Sequence, residues 1–163
     1  MHLIDLYKSF EAHEVRYLLC GGLAINLYGI PRATADMDIL LDYEEANLLR
    51  FMESIKAFGF QASIPISILE LKDPARRKEL ISQRNLIAFS FFSTTFQMVT
   101  LDVLVDVPFD FQELWDARES RATKLTRIEL ISVPHLAALK TVANRQQDQL
   151  DIAALRQLYP DKF

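Results

Sequence analysis

Apolar residues recur at helical spacing from the first turns of the chain. Leu3, Ile4, Leu6, Tyr7 and Phe10 fall on one face and predict an amphipathic helix to about His13. Val15 to Cys20 then predicts a short strand, buried on both faces beyond Arg16 and ended by Gly21 and Gly22. Glycine admits positive φ and lets a ligand approach the backbone closely. Leu23 to Tyr28 follows as a short helix, stopped by Gly29 and Pro31. A polar loop carrying Arg32 and Thr34 leads into a second strand. Its alternation puts Asp36 and Asp38 on one face and Met37, Ile39 and Leu41 on the other.

The helical period returns from Tyr43 to Phe58, with Asp42 as the expected N-cap and Gly59 as the stop. Phe60 to Leu71 reads as extended, interrupted by Pro65, and Lys72 to Glu79 is a dense basic cluster. That cluster is either a solvated helix turn or a contact surface for an anionic acceptor. Asn85 to Phe92 and Phe96 to Val107 predict neighbouring strands joined at Ser93-Thr94-Thr95. In the second of them Met98, Thr100, Asp102, Leu104 and Asp106 share a face opposite Val99, Leu101, Val103 and Val105. Phe109 to Arg118 predicts a short helix and Lys124 to Ser132 a strand. Ser132 as N-cap and Pro134 open a helix to about Asn144. A last helix runs from Gln146 to Leu158, with Leu150, Ile152, Ala153 and Leu155 expected inward. Helices and strands so interleaved predict an α/β (α+β) chain.

Composition narrows the function classes. At 163 residues the chain is expected to form a single domain over 1–163, large enough for a sizeable core. A net charge of −4 gives no overall electrostatic bias towards nucleic acid or anionic membrane and argues against a broad basic surface, though not against a local basic pocket. One cysteine, Cys20, excludes an internal disulfide and reads as a core residue. The opening MHLIDLYKSF does not resemble a signal peptide, and no apolar run reaches the roughly 18 residues of a membrane span, so a cytoplasmic protein with no membrane contact is expected. His2, His13 and His135 fit no metal-ligand spacing, and G-x-G-x-x-G does not follow the first strand, against hydrolase and dinucleotide readings.

The chemistry is carried by acids. Asp36 and Asp38 lie roughly 6.5–7 Å apart along one strand face and repel, which a divalent cation such as Mg²⁺ would relieve. Asp102, an acid in mid-strand among aliphatics, is costly unless paired or metal-bound and so is a third candidate. Asp106, nearer the strand end, is expected in solvent. The helix after Gly21-Gly22 offers unpaired N–H groups to a phosphate. Lys140 sits in an apolar segment and needs an anion, either a triphosphate or the carboxylates. Arg145 and Asp148 are spaced to pair; Arg145, Asp148 and Asp151 read either as a salt-bridged helix junction or as part of the site.

With these residues in hand, the chain resembles nucleotidyltransferase-fold proteins of the DNA polymerase beta superfamily, in particular the small stand-alone bacterial and archaeal group related to AbiEii-type toxin nucleotidyltransferases. The matching pieces are Gly21-Gly22, a gap of thirteen residues, Asp36-Met37-Asp38, Asp102 within LDVLV, and Lys140 followed by Arg145, Asp148 and Asp151 in an R-x-x-D-x-x-D tail. The resemblance implies a mixed β-sheet flanked by helices with a C-terminal helical pair. It implies transfer of a nucleoside monophosphate from a nucleoside triphosphate to an acceptor, whether RNA, protein or small molecule. Asp36, Asp38 and Asp102 would hold Mg²⁺ (or Mn²⁺), and with Lys140 they form the implied catalytic set. Gly21, Gly22, Arg32, Thr34 and Arg145 would bind the nucleotide. A toxin–antitoxin setting with a cognate partner protein is implied too. The alternative is a catalytically silent module of the same fold, acting as an antitoxin-like regulator. Two departures bear on that choice: Gly22 stands where active transferases often carry Ser, and Gln147 where the tail often carries Lys.

Overall fold

The computed structural model describes residues 2–96 and 100–163. Among them β1 (Tyr17–Leu19), β2 (Asp36–Leu41), β3 (Phe60–Ala62), β4 (Ala88–Ser93), β5 (Thr100–Leu104), β6 (Glu119–Ala122) and β7 (Arg127–Leu130) join in one sheet, ordered β3-β4-β5-β2-β1-β7-β6. The sheet is mixed, as expected: β2 runs parallel to β5 and β1 parallel to β7, while the other neighbours are antiparallel. The helices are α1 (Leu3–Ala12), α2 (Gly21–Leu27), α3 (Glu45–Lys56), α4 (Pro74–Arg84), α5 (Phe111–Asp116), α6 (Val133–Ala143) and α7 (Gln146–Leu158). Fold class and C-terminal helical pair are therefore as the sequence implied.

Strand alternation divides the sheet into an apolar face and a chemical face. Met37, Ile39, Leu101, Val103, Phe89 and Phe91 point one way and are buried. Helices α1 and α3 cover them through an aromatic chain, Phe51 stacking edge-on to Phe91 at 5.7 Å, Phe10 to Phe51 at 5.9 Å and Phe10 to Tyr17 at 4.8 Å. The other face carries Asp36, Asp38 and Asp102 at the centre of the sheet. A core of aromatic and aliphatic side chains thus fixes the strands whose opposite edges hold the acids.

Several boundaries differ from the sequence reading, each for a local reason. Helix α3 starts at Glu45 with Glu44 as N-cap, because the Asp42 carboxylate accepts from the Glu44 N–H at 3.1 Å and pairs with Arg16, holding the turn open. The extended stretch after Phe60 ends at Ala62, and Ile68–Lys72 is a 3-10 turn capped by Ser67. Asn85 terminates α4 in the left-handed region (φ 50°), so β4 starts later, at Ala88. Strand β6 was not anticipated: Glu119-Ser-Arg-Ala has no apolar alternation and forms only by pairing with β7. In α7 Leu150 is 60% exposed and Ala153 faces solvent, whereas Asp148, Asp151 and Leu155 turn inward. Gln97, Met98 and Val99, including the expected outer-face position of Met98, lie outside the described residues.

Three of the four basic residues of the cluster are tied up internally. Arg76 pairs with Glu70 at 2.7 Å and Glu79 at 2.8 Å, Lys72 pairs with Glu45 at 2.9 Å, and Arg77 donates to the Leu71 carbonyl while stacking over Tyr43 at 4.8 Å. Among the described residues no helix is long and apolar enough to cross a membrane.

Candidate active site

The two central strands bring acids together that are distant in sequence. Parallel pairing of β2 with β5 sets Asp36 opposite Thr100 and Asp38 opposite Asp102. Paired residues project to the same face, so Asp38 and Asp102 stand side by side, separated by about the 4.8 Å strand spacing. Asp36, at the start of β2, is exposed, while Asp38 and Asp102 are half-buried. One Asp102 oxygen, Oδ1, is buried and has no hydrogen-bond partner among the described residues. Burial raises the Asp38 pKa first, and the neighbouring charges of Asp102 and Asp36 raise it further, with Arg145 and Lys140 opposing. Such a trio is electrostatically unfinished: it needs protons or a cation.

The glycine turn closes against this acid pair. Gly21 opens α2 at φ +63°, and a Cβ there would lie 1.8 Å from Asp38 Oδ2. The Cys20 N–H donates to the Asp38 carbonyl at 2.9 Å, holding turn and strand in contact. Gly22 is backed by Thr34, whose Oγ1 would be 2.7 Å from a Cβ at that position. The Thr34 hydroxyl therefore occupies the space a serine at position 22 would enter. It donates to the Asp36 carbonyl at 3.4 Å.

Lys140 does find anions, but within the protein. Its Nζ donates to Asp148 Oδ1 at 3.1 Å and Asp151 Oδ2 at 2.6 Å, and the residue is only 4% exposed. Two of the ammonium's three hydrogens are so used among the described residues. Arg145 pairs with Asp148 at 2.7 Å, as its spacing predicted, and Arg32 reaches Asp151 at 2.6 Å from the loop before Asp36. The helix does not run through this junction: Asn144 caps α6 in the left-handed region (φ 49°) and α7 starts at Gln146. Gln147, in the place of a tail lysine, donates its amide to Asp151 Oδ1 at 3.0 Å.

A cavity of about 510 Å³ joins these parts. Gly21, Asp38, Lys140, Arg145 and Asp148 form its polar end; Ile87, Val107, Pro108, Leu136, Leu139 and Val142 line the rest, with Asp106 at the rim. Asp106 is exposed, as expected. The structure so brings Gly21, Asp38, Lys140 and Arg145 to one cavity, sets Asp102 and Asp36 next to Asp38 on the sheet, packs Thr34 against Gly22 and ties Arg32 to Asp151. Sequence reasoning left the parts played by Asp148 and Asp151 open; their burial is the signal that an exposed-helix reading conceals.

A metal suits this donor set. Every donor is a carboxylate oxygen, the chemistry of Mg²⁺ or Mn²⁺, and the orphaned Asp102 Oδ1 lacks a partner that a cation would supply. Among the described residues no three His, Cys, Asp or Glu side chains close into a preformed cage. A cation here would therefore need further ligands from phosphate and water.

Solved structures share this architecture. The chain superposes on lincosamide antibiotic adenylyltransferase LnuA, bound to lincomycin, with a TM-score of 0.62 at 16% identity, covering 97% of this chain and 98% of that one. It is also similar to an antigenic nucleotidyltransferase-like protein from Paracoccidioides brasiliensis, TM-score 0.56 at 17% identity, covering 97% of this chain and 73% of the other. Both likenesses establish the fold. Among curated proteins none matches the sequence. A family model does, over residues 4–160, nearly the whole chain, and by that match it belongs to the nucleotidyl transferase AbiEii toxin family of type IV toxin–antitoxin systems.

Proposed function

We propose that this protein transfers a nucleoside monophosphate from a nucleoside triphosphate to an acceptor hydroxyl, with Asp36, Asp38 and Asp102 holding Mg²⁺ or Mn²⁺. The observation that carries the reading is the in-register pairing of Asp38 with Asp102, one oxygen buried and unpartnered, against a glycine that admits no side chain. The bound cation would supply charge neutralisation at the triphosphate and at the attacking and leaving oxygens. Asp102 takes the proton of the acceptor hydroxyl as its oxygen bonds to the α-phosphorus, and pyrophosphate leaves. Gly21 and Gly22 let the polyphosphate lie against the backbone, with the Thr34 hydroxyl beside them. Lys140 gives its remaining N–H to a phosphate oxygen, and Arg145 and Arg32 add positive charge. Positioning and electrostatics supply most of the rate in phosphoryl chemistry.

The adenylyl transfer named for the LnuA structure is the same class of reaction. The family's type IV toxin–antitoxin description supports a cytoplasmic setting with an antitoxin partner protein, and an acceptor drawn from RNA, protein or small molecules. Incubation with labelled nucleoside triphosphates, Mg²⁺ and cell lysate tests the proposal. A labelled acceptor that disappears with Asp38→Ala supports it; no labelling, despite Mg²⁺-dependent nucleotide binding, favours the silent-module alternative.

A further inference from the structure

Two buried carboxylates have no part in the transfer step as drawn above. Asp148 is 0% and Asp151 2% exposed, and both sit on the inward face of α7. Asp148 accepts from Lys140 Nζ at 3.1 Å, from Arg145 Nε at 2.7 Å and from the Arg145 backbone N–H at 3.2 Å. Asp151 accepts from Lys140 Nζ at 2.6 Å, Arg32 at 2.6 Å and Gln147 Nε2 at 3.0 Å. The three cations come from three places: the loop before β2, helix α6, and the α6–α7 junction.

A plain helix staple does not account for this arrangement. Burying ions costs desolvation that an apolar contact avoids, and well-packed hydrophobic replacements are often as stable. Leu155, one turn beyond Asp151, already shows α7 packing by apolar burial. The charged pairs instead cluster where the cations are useful. Lys140 and Arg145 line the cavity beside Asp38, and Arg32 lies four residues before Asp36. Three cations against two carboxylates leave the cluster one net positive charge, with Lys140 and Arg145 on the cavity that Asp38 also lines. Fixing them in advance removes the ordering cost that long flexible side chains otherwise incur when an anion binds.

We infer that Asp148 and Asp151 are positioning residues of the transfer site, holding Arg32, Lys140 and Arg145 in place to receive a polyphosphate. The inference rests on the reading proposed above, and names pyrophosphate-bearing anions as what the cluster is set to bind. The test is calorimetric titration of ATP, and separately of inorganic pyrophosphate, both with Mg²⁺, alongside the thermal midpoint of each variant. Asp151→Asn is expected to weaken both ligands about 10-fold or more, since it removes the anchor of two cations. Gln147→Leu loosens Asp151 without touching the cavity; it keeps the test valid if Asp151→Asn does not fold. It is expected to weaken binding about 3-fold with the midpoint nearly unchanged. In the Arg32→Ala background Asp151→Asn should cost much less than it does alone, because the two act together. Variants that lower the thermal midpoint but bind ATP and pyrophosphate like the parent would overturn the inference and leave the transfer reading standing. A parent protein that binds neither ligand would instead remove the transfer reading itself.

Discussion

Replacing Asp38 by Asn deletes one of three like charges from a half-buried strand face and should stabilise the metal-free protein while destroying its activity. Asp38 and Asp102 are paired across adjacent strands. At about 4.8 Å and an effective dielectric near 20, two unit charges repel by about 3 kcal/mol. The carboxyl relieves part of this by holding its proton to higher pH, which is why its pKa lies above the usual range, burial being the larger cause and Asp102 and Asp36 the next. The sign follows from linkage. The unfolded chain releases this proton more readily, so between the unfolded-state pKa and the raised folded one each unit of pH costs the native state up to about 1.4 kcal/mol, and above the folded pKa nothing more is lost. Asn has no such penalty. A gain of about 1–3 kcal/mol corresponds to roughly 3–8 °C for a chain of this size. Thermal unfolding in EDTA at about pH 7.5 should show that rise, and the gap should narrow at about pH 4, where a proton does what Asn does. Excess Mg²⁺ should raise the midpoint of the parent and not of the variant. Loss of several kcal/mol of transition-state stabilisation should cut transfer by about 10³-fold or more. A variant less stable than the parent in EDTA, or a difference that does not change with pH, would refute the account of Asp38 as a repelled, cation-seeking carboxylate.

Gly21→Ala should cost about 1–2 kcal/mol for a side chain in the left-handed region, and reduce transfer further still, because its Cβ would displace Asp38; urea unfolding and labelled transfer measure the two effects. Acid should weaken the fold through Asp148: burial alone would raise its pKa, but hydrogen bonds from Arg145 and Lys140 prevail and hold it at about 2 against an ordinary 3.8. Its contribution, at most about 2 kcal/mol, is full above about pH 4 and lost as pH falls towards 2; the urea midpoint of Asp148→Asn should be flatter over that window than the parent's. Arg76→Ala, which breaks solvent-screened ion pairs to Glu70 and Glu79, should leave the urea midpoint nearly unchanged and leave transfer unchanged; an activity loss would return the basic cluster to the acceptor surface. Phe51→Ala, emptying the aromatic chain between α3 and the sheet, should cost about 3–5 kcal/mol by urea unfolding.

The parts of the site that were legible in the sequence are those where a charge interrupts an apolar pattern. Asp36 and Asp38 stand out because alternation sends Met37 and Ile39 to the core and leaves two carboxylates sharing one face. Asp102 stands out among Leu101, Val103 and Val105 for the same reason, and register then sets it against Asp38. Pattern reading fails where polar residues are the buried ones. In α7 it assigned Leu150 and Ala153 inward, when Asp148 and Asp151 fill the inner face. Nothing local distinguishes those aspartates from solvated ones; their burial depends on Lys140, eight and eleven residues earlier, and on Arg32, 119 residues from Asp151. Strand β6 was hidden likewise, being polar throughout and formed only by its neighbour. Lys140 is the instructive case. Its apolar surroundings correctly demanded an anion, and a substrate phosphate was one way to meet that demand. The protein meets most of it with two carboxylates of its own, across a helix break at Asn144. A buried charge in a sequence therefore marks where a counter-charge must stand, and only the tertiary fold decides how much of it the chain supplies and how much is left to a ligand.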